Sequence, residues 1–359
     1  MAYTTINKST DYFNTVLYTG NGTAIGSGGK TVTGVGFQPD FVWGKARSGT
    51  DAVDNHVLTD AVRGATKYLK SNATSSETTD TESLTSFTND GFTLGSNGQL
   101  NRNGNNCVAW NWKANGQGSS NTDGSINTTY TSVNTTAGFS ISSYTGTGSN
   151  ATVGHGLGVA PKMVIIKNRG GGVKDWRVGH DGLTSWAYRL HLNDTSAQTE
   201  QSVIFNSTAP TNSVFSVGTS GGVNASGDNY IAYCFAEKTG YSKIGSYTGN
   251  GNADGTFVYT GFKPAFVMVK KTSESGNNWV MSDTARSDVS NANVNDQVLY
   301  ANLNNSEESS SGLSMDLVSN GFKLRGNGGD HNNNSQTYIY MCFASAPLVG
   351  TNNVPCTAR

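Results

Sequence analysis

The chain is short of charge. Asp, Glu, Lys and Arg make up 14% of its 359 residues, and the net charge is −1. No basic tract is present, so a nucleic acid is not an expected partner, because such binding rests on clustered Lys and Arg. No apolar run approaches the roughly 20 residues that cross a bilayer as a helix, so membrane insertion is not expected either. The start, Met1-Ala-Tyr-Thr-Thr-Ile-Asn-Lys8, lacks the apolar stretch of a secretory signal. Synthesis and assembly in a cytoplasm follow from that. Only four cysteines occur, Cys107, Cys234, Cys342 and Cys356, with no Cys-x-x-Cys among them. Neither a disulfide framework nor a zinc site is indicated, and buried free thiols are expected. Without a secretory signal, the Asn-x-Ser/Thr triplets at Asn72, Asn127 and Asn134 read as chance in an Asn/Thr-rich chain. No segment shows the 3.6-residue periodicity and caps of a long helix; one short helix near Asp60–Leu69 is allowed for.

What the chain has is glycine, 45 of them, with much Asn, Ser and Thr but only six prolines. Such composition fits either disorder or a turn-rich β protein. Short β-branched and aromatic runs break up the polar stretches, which favours β structure.

Those runs recur. Tyr18-Thr-Gly-Asn-Gly22 precedes Gly36-Phe-Gln-Pro-Asp-Phe-Val-Trp43. Tyr144-Thr-Gly-Thr-Gly148 precedes Gly158-Val-Ala-Pro-Lys-Met-Val-Ile165. Tyr247-Thr-Gly-Asn-Gly251 precedes Gly261-Phe-Lys-Pro-Ala-Phe-Val-Met268. A glycine turn followed by a proline-led strand thus opens three repeats. Each closes on a nearly continuous apolar strand: Cys107–Trp112, Tyr230–Phe235 and Tyr338–Phe343. Asn89-Asp-Gly91 between apolar residues predicts a hairpin. The third repeat parallels it at Asp316–Leu324.

The expected fold is therefore all-β: three tandem homologous antiparallel β-sandwich, jelly-roll-like domains. The expected boundaries are a lead at 1–11, repeats at 12–114, 138–238 and 239–346, a Gly/Ser/Asn/Thr-rich flexible linker at 115–137 and a tail at 347–359.

Candidate chemistry is sparse. Gly28-Gly-Lys-Thr31 ends like a phosphate-binding loop, but Ala24 stands where that motif needs glycine. His180-Asp181 could form a base with an orienting carboxylate, yet the matching positions are Asp60 and Asp283. The recurring pairs Asp60/Arg63 and Asp283/Arg286 suit either a ligand clamp or an ion pair fixing a turn, and the second reading is preferred. Trp110, Trp112, Tyr233, Phe235, Tyr340 and Phe343 could stack on sugars. So apolar a setting favours a buried core for them, while Trp176 and Trp279 remain open to both readings. Asp330-His-Asn-Asn-Asn334 lacks the twelve-residue calcium loop. No catalytic, cofactor-binding or metal residue is assigned. Paired carboxylates of a glycan depolymerase are not recognisable.

The combination of Tyr-Thr-Gly-Asn-Gly, Gly-Phe-x-Pro-x-Phe-Val, Asp-x-x-Arg, Asn-Asp-Gly-Phe-Thr-Leu and the closing Val108-Ala-Trp-Asn-Trp-Lys-Ala114 resembles a repeat of virion proteins from marine bacteriophages, cyanophages among them. The start Ala2–Asn14 resembles the beginning of such proteins. The likeness is strongest over 1–114 and weakest in the second repeat, where Gly158-Val-Ala-Pro161 lacks the phenylalanine and His180 replaces the aspartate. The resemblance implies a non-enzymatic virion structural protein without cofactor. A tail fibre or appendage serving host attachment is the first expectation, and a capsid decoration protein the alternative. Expected partners are other tail or capsid proteins, copies of itself as a homo-oligomer, and a host-surface glycan or protein.

Overall fold

The computed structural model describes residues 3–49, 54–170, 172–287 and 294–352. The chain is all-β, with antiparallel sheets and, among the described residues, two α-helices of four residues each, Gly98–Asn101 and Gly329–Asn332. The stretch Asp60–Leu69 holds a turn and the strand Lys67–Tyr68 in place of a helix.

Each third of the chain builds a main sheet on one plan. In the first, Phe13–Thr19, Asn106–Trp112, Phe41–Ser48 and Val57–Asp60 are neighbours in that order. In the second, the order is Phe139–Thr145, Asn229–Phe235, Met163–Asn168, Arg177–His180 and Tyr188–His191. In the third, Ser242–Thr248, Thr337–Pro347, Phe262–Lys271, Trp279–Asp283 and Gln297–Tyr300 follow one another. A small sheet accompanies each: Lys30–Val32, Gly91–Leu94 and Leu84–Thr88; Ala151–Gly154 and Val214–Val217; Phe257–Tyr259, Gly321–Leu324 and Met315–Val318. Both expected hairpins are present, Leu84–Thr88 to Gly91–Leu94 and Met315–Val318 to Gly321–Leu324.

Successive side chains of a strand point to opposite faces, and here both faces are buried. On the closing strands, Val108, Trp110 and Trp112 join one apolar cluster while Ala109 joins another. Ile231, Tyr233 and Phe235 alternate with Tyr230, Ala232 and Cys234. Ile339, Met341 and Phe343 alternate with Tyr338, Tyr340 and Cys342. One face of each main sheet covers its own small sheet. The other faces of all three sheets meet in a single core. Trp112, Phe235 and Phe343 stand opposite Phe41, Met163 and Phe266 in register, so they are equivalent positions. Their rings form a triangle, with centroids 6.4, 5.6 and 6.1 Å apart. Sequence periodicity marks both faces as apolar; it does not show that one face of each sheet is shared.

The Tyr-Thr-Gly turn is architectural. Tyr18, Tyr144 and Tyr247 donate their hydroxyls to the carbonyls of Leu100, Val223 and His331. The turn backbone then docks on a buried asparagine: Asn101, Asn224 or Asn332 accepts from Asn21, Thr147 or Asn250 N–H. Gly20, Gly146 and Gly249 lie against backbone carbonyls that a Cβ would strike. The prolines behave differently from one another. Strands start two residues after Pro39 and Pro161, whereas Pro264 sits inside Phe262–Lys271 at a register shift. A bulge tolerates its missing N–H.

The stretch 115–137 is more ordered than its composition implies. Its strand Tyr130–Asn134 pairs with Phe139–Thr145, and Ser119 bridges Thr131. The Asp40 carboxylate accepts the N–H groups of Ala114 and Gly116. The lead also packs onto the body: Ile6 enters the shared core, and the Tyr3 hydroxyl donates to Gly261 O. Cys107, Cys234 and Cys342 are buried free thiols; Cys356 lies outside the described residues.

A shared core implies shared stability. Phe235→Ala is expected to cost about 3–5 kcal/mol and to move one cooperative calorimetric transition of the full chain. Loss of only the second third's share of the unfolding heat, with the rest unmoved, would contradict a common core.

Candidate functional site

The recurring Asp-x-x-Arg pairs lie where one sheet meets the next. Asp60 and Asp283 end the strands Val57–Asp60 and Trp279–Asp283, and the turn that follows brings Arg63 and Arg286 back over them. Each arginine Nε donates to its aspartate at 2.5 Å, and each Nη2 donates to a backbone carbonyl, Leu58 or Met281. All four side chains are 0% exposed. The neighbouring sheet completes each pair. Tyr233 OH donates to Asp60 at 2.7 Å, and Trp110 Nε1 donates to Asp283 at 2.9 Å. Further out, Glu77 accepts from Arg63 and from Arg169 of the second third. Glu307 accepts from Arg286 and from Arg47 of the first. Backbone contacts follow the same rule, Glu77 N to Arg169 O and Glu307 N to Arg47 O.

The seam between the second and third sheets has the same backbone contact, Gln198 N to Thr272 O, but different side chains. His180 stands for aspartate, Leu183 for arginine, Gln198 for glutamate and Thr272 for the outer arginine. Met341 occupies the register position of Trp110 and Tyr233 and has no hydrogen to donate. His180 Nε2 instead meets the carbonyl of Tyr340 at 3.2 Å, while its Nδ1 accepts from Gly182 N–H. The contacts run in one cyclic sense around the molecule: second sheet to first, first to third, third to second. The preferred sequence reading, an ion pair fixing a turn, is correct as far as it goes. The tyrosine, tryptophan and outer arginines come from a different third of the chain, and the glutamates stand 14 and 21 residues beyond their arginines, so no local motif marked them.

Burial sets the protonation states. Burial alone would lower the Arg63 pKa, but the charge of Asp60 outweighs it and raises the value. Burial alone would raise Glu77, and hydrogen bonds from Arg169 with the charge of Arg63 reverse that. Burial pushes His180 and His331 down to about 4, so both are neutral in the fold at pH 7.

The other residues singled out from sequence have structural roles. Trp176 Nε1 donates to Lys70 O and Trp279 Nε1 to His191 O, again across seams. The six closing-strand aromatics are core, not platform. Asp330 accepts from the backbone and side-chain N–H groups of Asn278. Gly28 and Gly29 form a left-handed turn before the strand Lys30–Val32.

Two arrangements beside the seam networks were not anticipated. Asp175, His191 and Asp194 bring three ligand-type atoms within 4.8 Å of one another. His191 Nδ1 already bonds Asp194 at 2.6 Å, and the Arg177 guanidinium lies against His191 Nε2 and 3.6 Å from Asp175. The Arg177 cation thus already engages two of these three groups. The second arrangement is a polar cleft of about 250 Å³ between the first and second sheets, lined by Lys67, Gln117, Tyr130, Ser143, Arg169 and Asn229 among others.

Two outcomes follow for stability. Arg63→Met leaves Asp60 buried without its cation and is expected to cost about 3–5 kcal/mol in chemical denaturation. A histidine held below its unfolded pKa of about 6.5 contributes stability that is full above that value and declines as pH falls toward 4. Protonation of Glu77, whose pKa lies below its ordinary 4.5, adds a further loss below that. The melting temperature is therefore expected to fall from pH 7 to pH 4, and His180→Gln to flatten part of the fall. A profile unchanged over that range would show that the buried histidines are not held neutral.

Comparison with curated proteins and with solved structures finds no match. A family model described as "Domain of unknown function (DUF7483)" matches residues 8–347. That match takes in all three sheets and the seams between them in one piece, and the chain belongs to this family.

Proposed function

We propose that the chain is a non-enzymatic bacteriophage virion structural protein. In this reading it is a tail-fibre or appendage component that presents three tandem homologous, jelly-roll-like β-sandwich units for attachment to a host surface. The observation that carries the reading is where the recurrent residues go. The Asp–Arg pairs, the closing-strand aromatics and the Tyr-Thr-Gly turns all face cores or seams. What repeats builds the shared body, and the loops outside it carry no such packing constraint. Loops on a rigid scaffold are where recognition concentrates. The resemblance of the first repeat to marine phage virion proteins points the same way. Partners in this reading are other virion proteins, copies of the chain and a host-surface glycan or protein; it needs no cofactor and places the protein in the virion.

The cyclic seams favour a second reading, a capsid decoration protein. A body with approximate threefold symmetry in one chain fits a threefold position on a shell. Immunogold labelling of purified virions separates the two. Label on the tail, with adsorption blocked by added purified protein, is the expected result. Label confined to the head would favour decoration, and unlabelled virions would overturn both.

A further inference from the structure

The polar cleft between the first and second sheets differs from the seams around it in the state of its donors. Arg63, at its back, is fully committed to Asp60, Glu77, Leu58 O and Tyr233. Arg169 spends Nε and Nη2 on Glu77 and leaves Nη1 uncommitted. Among the described residues, Lys67 Nζ, the Gln117 amide and the Tyr130 hydroxyl engage no partner. Among the described residues no carboxylate lines the cleft; Asp60 and Glu77 accept from its arginines. Three cations (Arg63, Arg169, Lys67) against those two carboxylates leave one positive charge facing the opening.

Two independent departures meet only here. The charge is peculiar to this seam: in register, Gln297 and Tyr188 stand where Lys67 does, and Thr272 replaces Arg169 at the seam of the second and third sheets. The wall is peculiar too. Gln117 and Tyr130 come from the stretch 115–137, whose strand Tyr130–Asn134 extends the second sheet beyond its opening strand. Among the described residues, neither the first nor the third sheet has a strand in that position.

We infer that this cleft binds an acidic saccharide, one carboxylate-bearing sugar unit at a time. The carboxylate is met by Arg169 Nη1 and Lys67 Nζ, charge-assisted donors of the stronger kind. The Gln117 and Asn229 amides and the Ser143 hydroxyl are suited to sugar hydroxyls, which both donate and accept. Tyr130 offers a ring face and a hydroxyl at the rim. A volume of about 250 Å³ lies just below the usual range of drug-sized ligand sites and suits one ring with its neighbours outside. The inference rests on the attachment reading for its biological use, since it names what would be recognised on a host surface.

The test is calorimetric titration of the full chain with trigalacturonate and with the neutral galactotriose. Saturable binding of the acidic trimer, with the neutral one about tenfold weaker or more, is expected. Lys67→Gln should weaken binding about tenfold while leaving the melting temperature within a degree or so, because its ammonium engages no partner in the seam; Tyr130→Phe, which keeps the ring packed against the core, should weaken binding less. Failure of the wild-type chain to bind trigalacturonate at millimolar concentration would overturn the site, as would unaltered binding by Lys67→Gln. Virions lacking the protein would remove the attachment reading while leaving uronate binding by the purified chain intact, so the two fail separately.

Discussion

Three antiparallel sheets each carry two apolar faces, and each chain third supplies a partner for only one of them. That shortfall governs the structure. The small sheets cover the outward faces; the inward faces have only one another. Burying an aromatic side chain is worth roughly 1.5–3 kcal/mol, and the inward faces carry Trp43, Trp110, Trp112, Phe139, Tyr233 and Phe343 among others. A main sheet set free on its own would expose that whole face to water. The three thirds are consequently bound into one body, although each looks like a complete sandwich in sequence.

A shared apolar core brings polar strand ends together at the seams, and those ends must be satisfied where no water reaches. Two seams use a buried carboxylate held by a guanidinium and by a donor from the next sheet. The remaining seam uses a neutral histidine with leucine, glutamine and threonine around it. A lone aspartate or a lone arginine at such a place would be costly. The substitutions at the second seam are mutually consistent: where the aspartate is absent, so are its arginine, the outer glutamate and the aromatic donor. The pairs also compete poorly with apolar packing as a source of stability, so their contribution is better understood as matching sheet edges in the correct cyclic order.

Much of the fold was legible. Glycine turns, proline-led strands, the Asp-Gly hairpin and the closing strands were each readable because they rest on local chemistry. The near-continuous apolar run of Tyr230–Phe235 signalled a strand buried on both sides, but nothing in it says which sheet covers which side. Stretch 115–137 misled for a related reason. Ser and Thr read as flexible, yet Thr131 and Ser142 hydroxyls bond each other at 3.1 Å and Ser142 donates to Gly154 O. The seam residues Glu77, Arg169, Glu307 and Arg47 had no local signal, since each acquires its role from a partner more than 90 residues away. The cleft was equally hidden, because its cations and its wall come from different thirds of the chain.

The central claim is that each seam network acts as a unit. Transplanting the charged set into the neutral seam tests it most directly, by comparing denaturation midpoints of His180→Asp, Leu183→Arg and the combined His180→Asp, Leu183→Arg, Gln198→Glu, Thr272→Arg variant. Each single change buries an unpaired charge and is expected to cost about 3 kcal/mol or more. The combined variant should recover most of that loss through coupling between neighbours. A combined variant destabilised by at least the sum of the His180→Asp and Leu183→Arg losses would contradict the account.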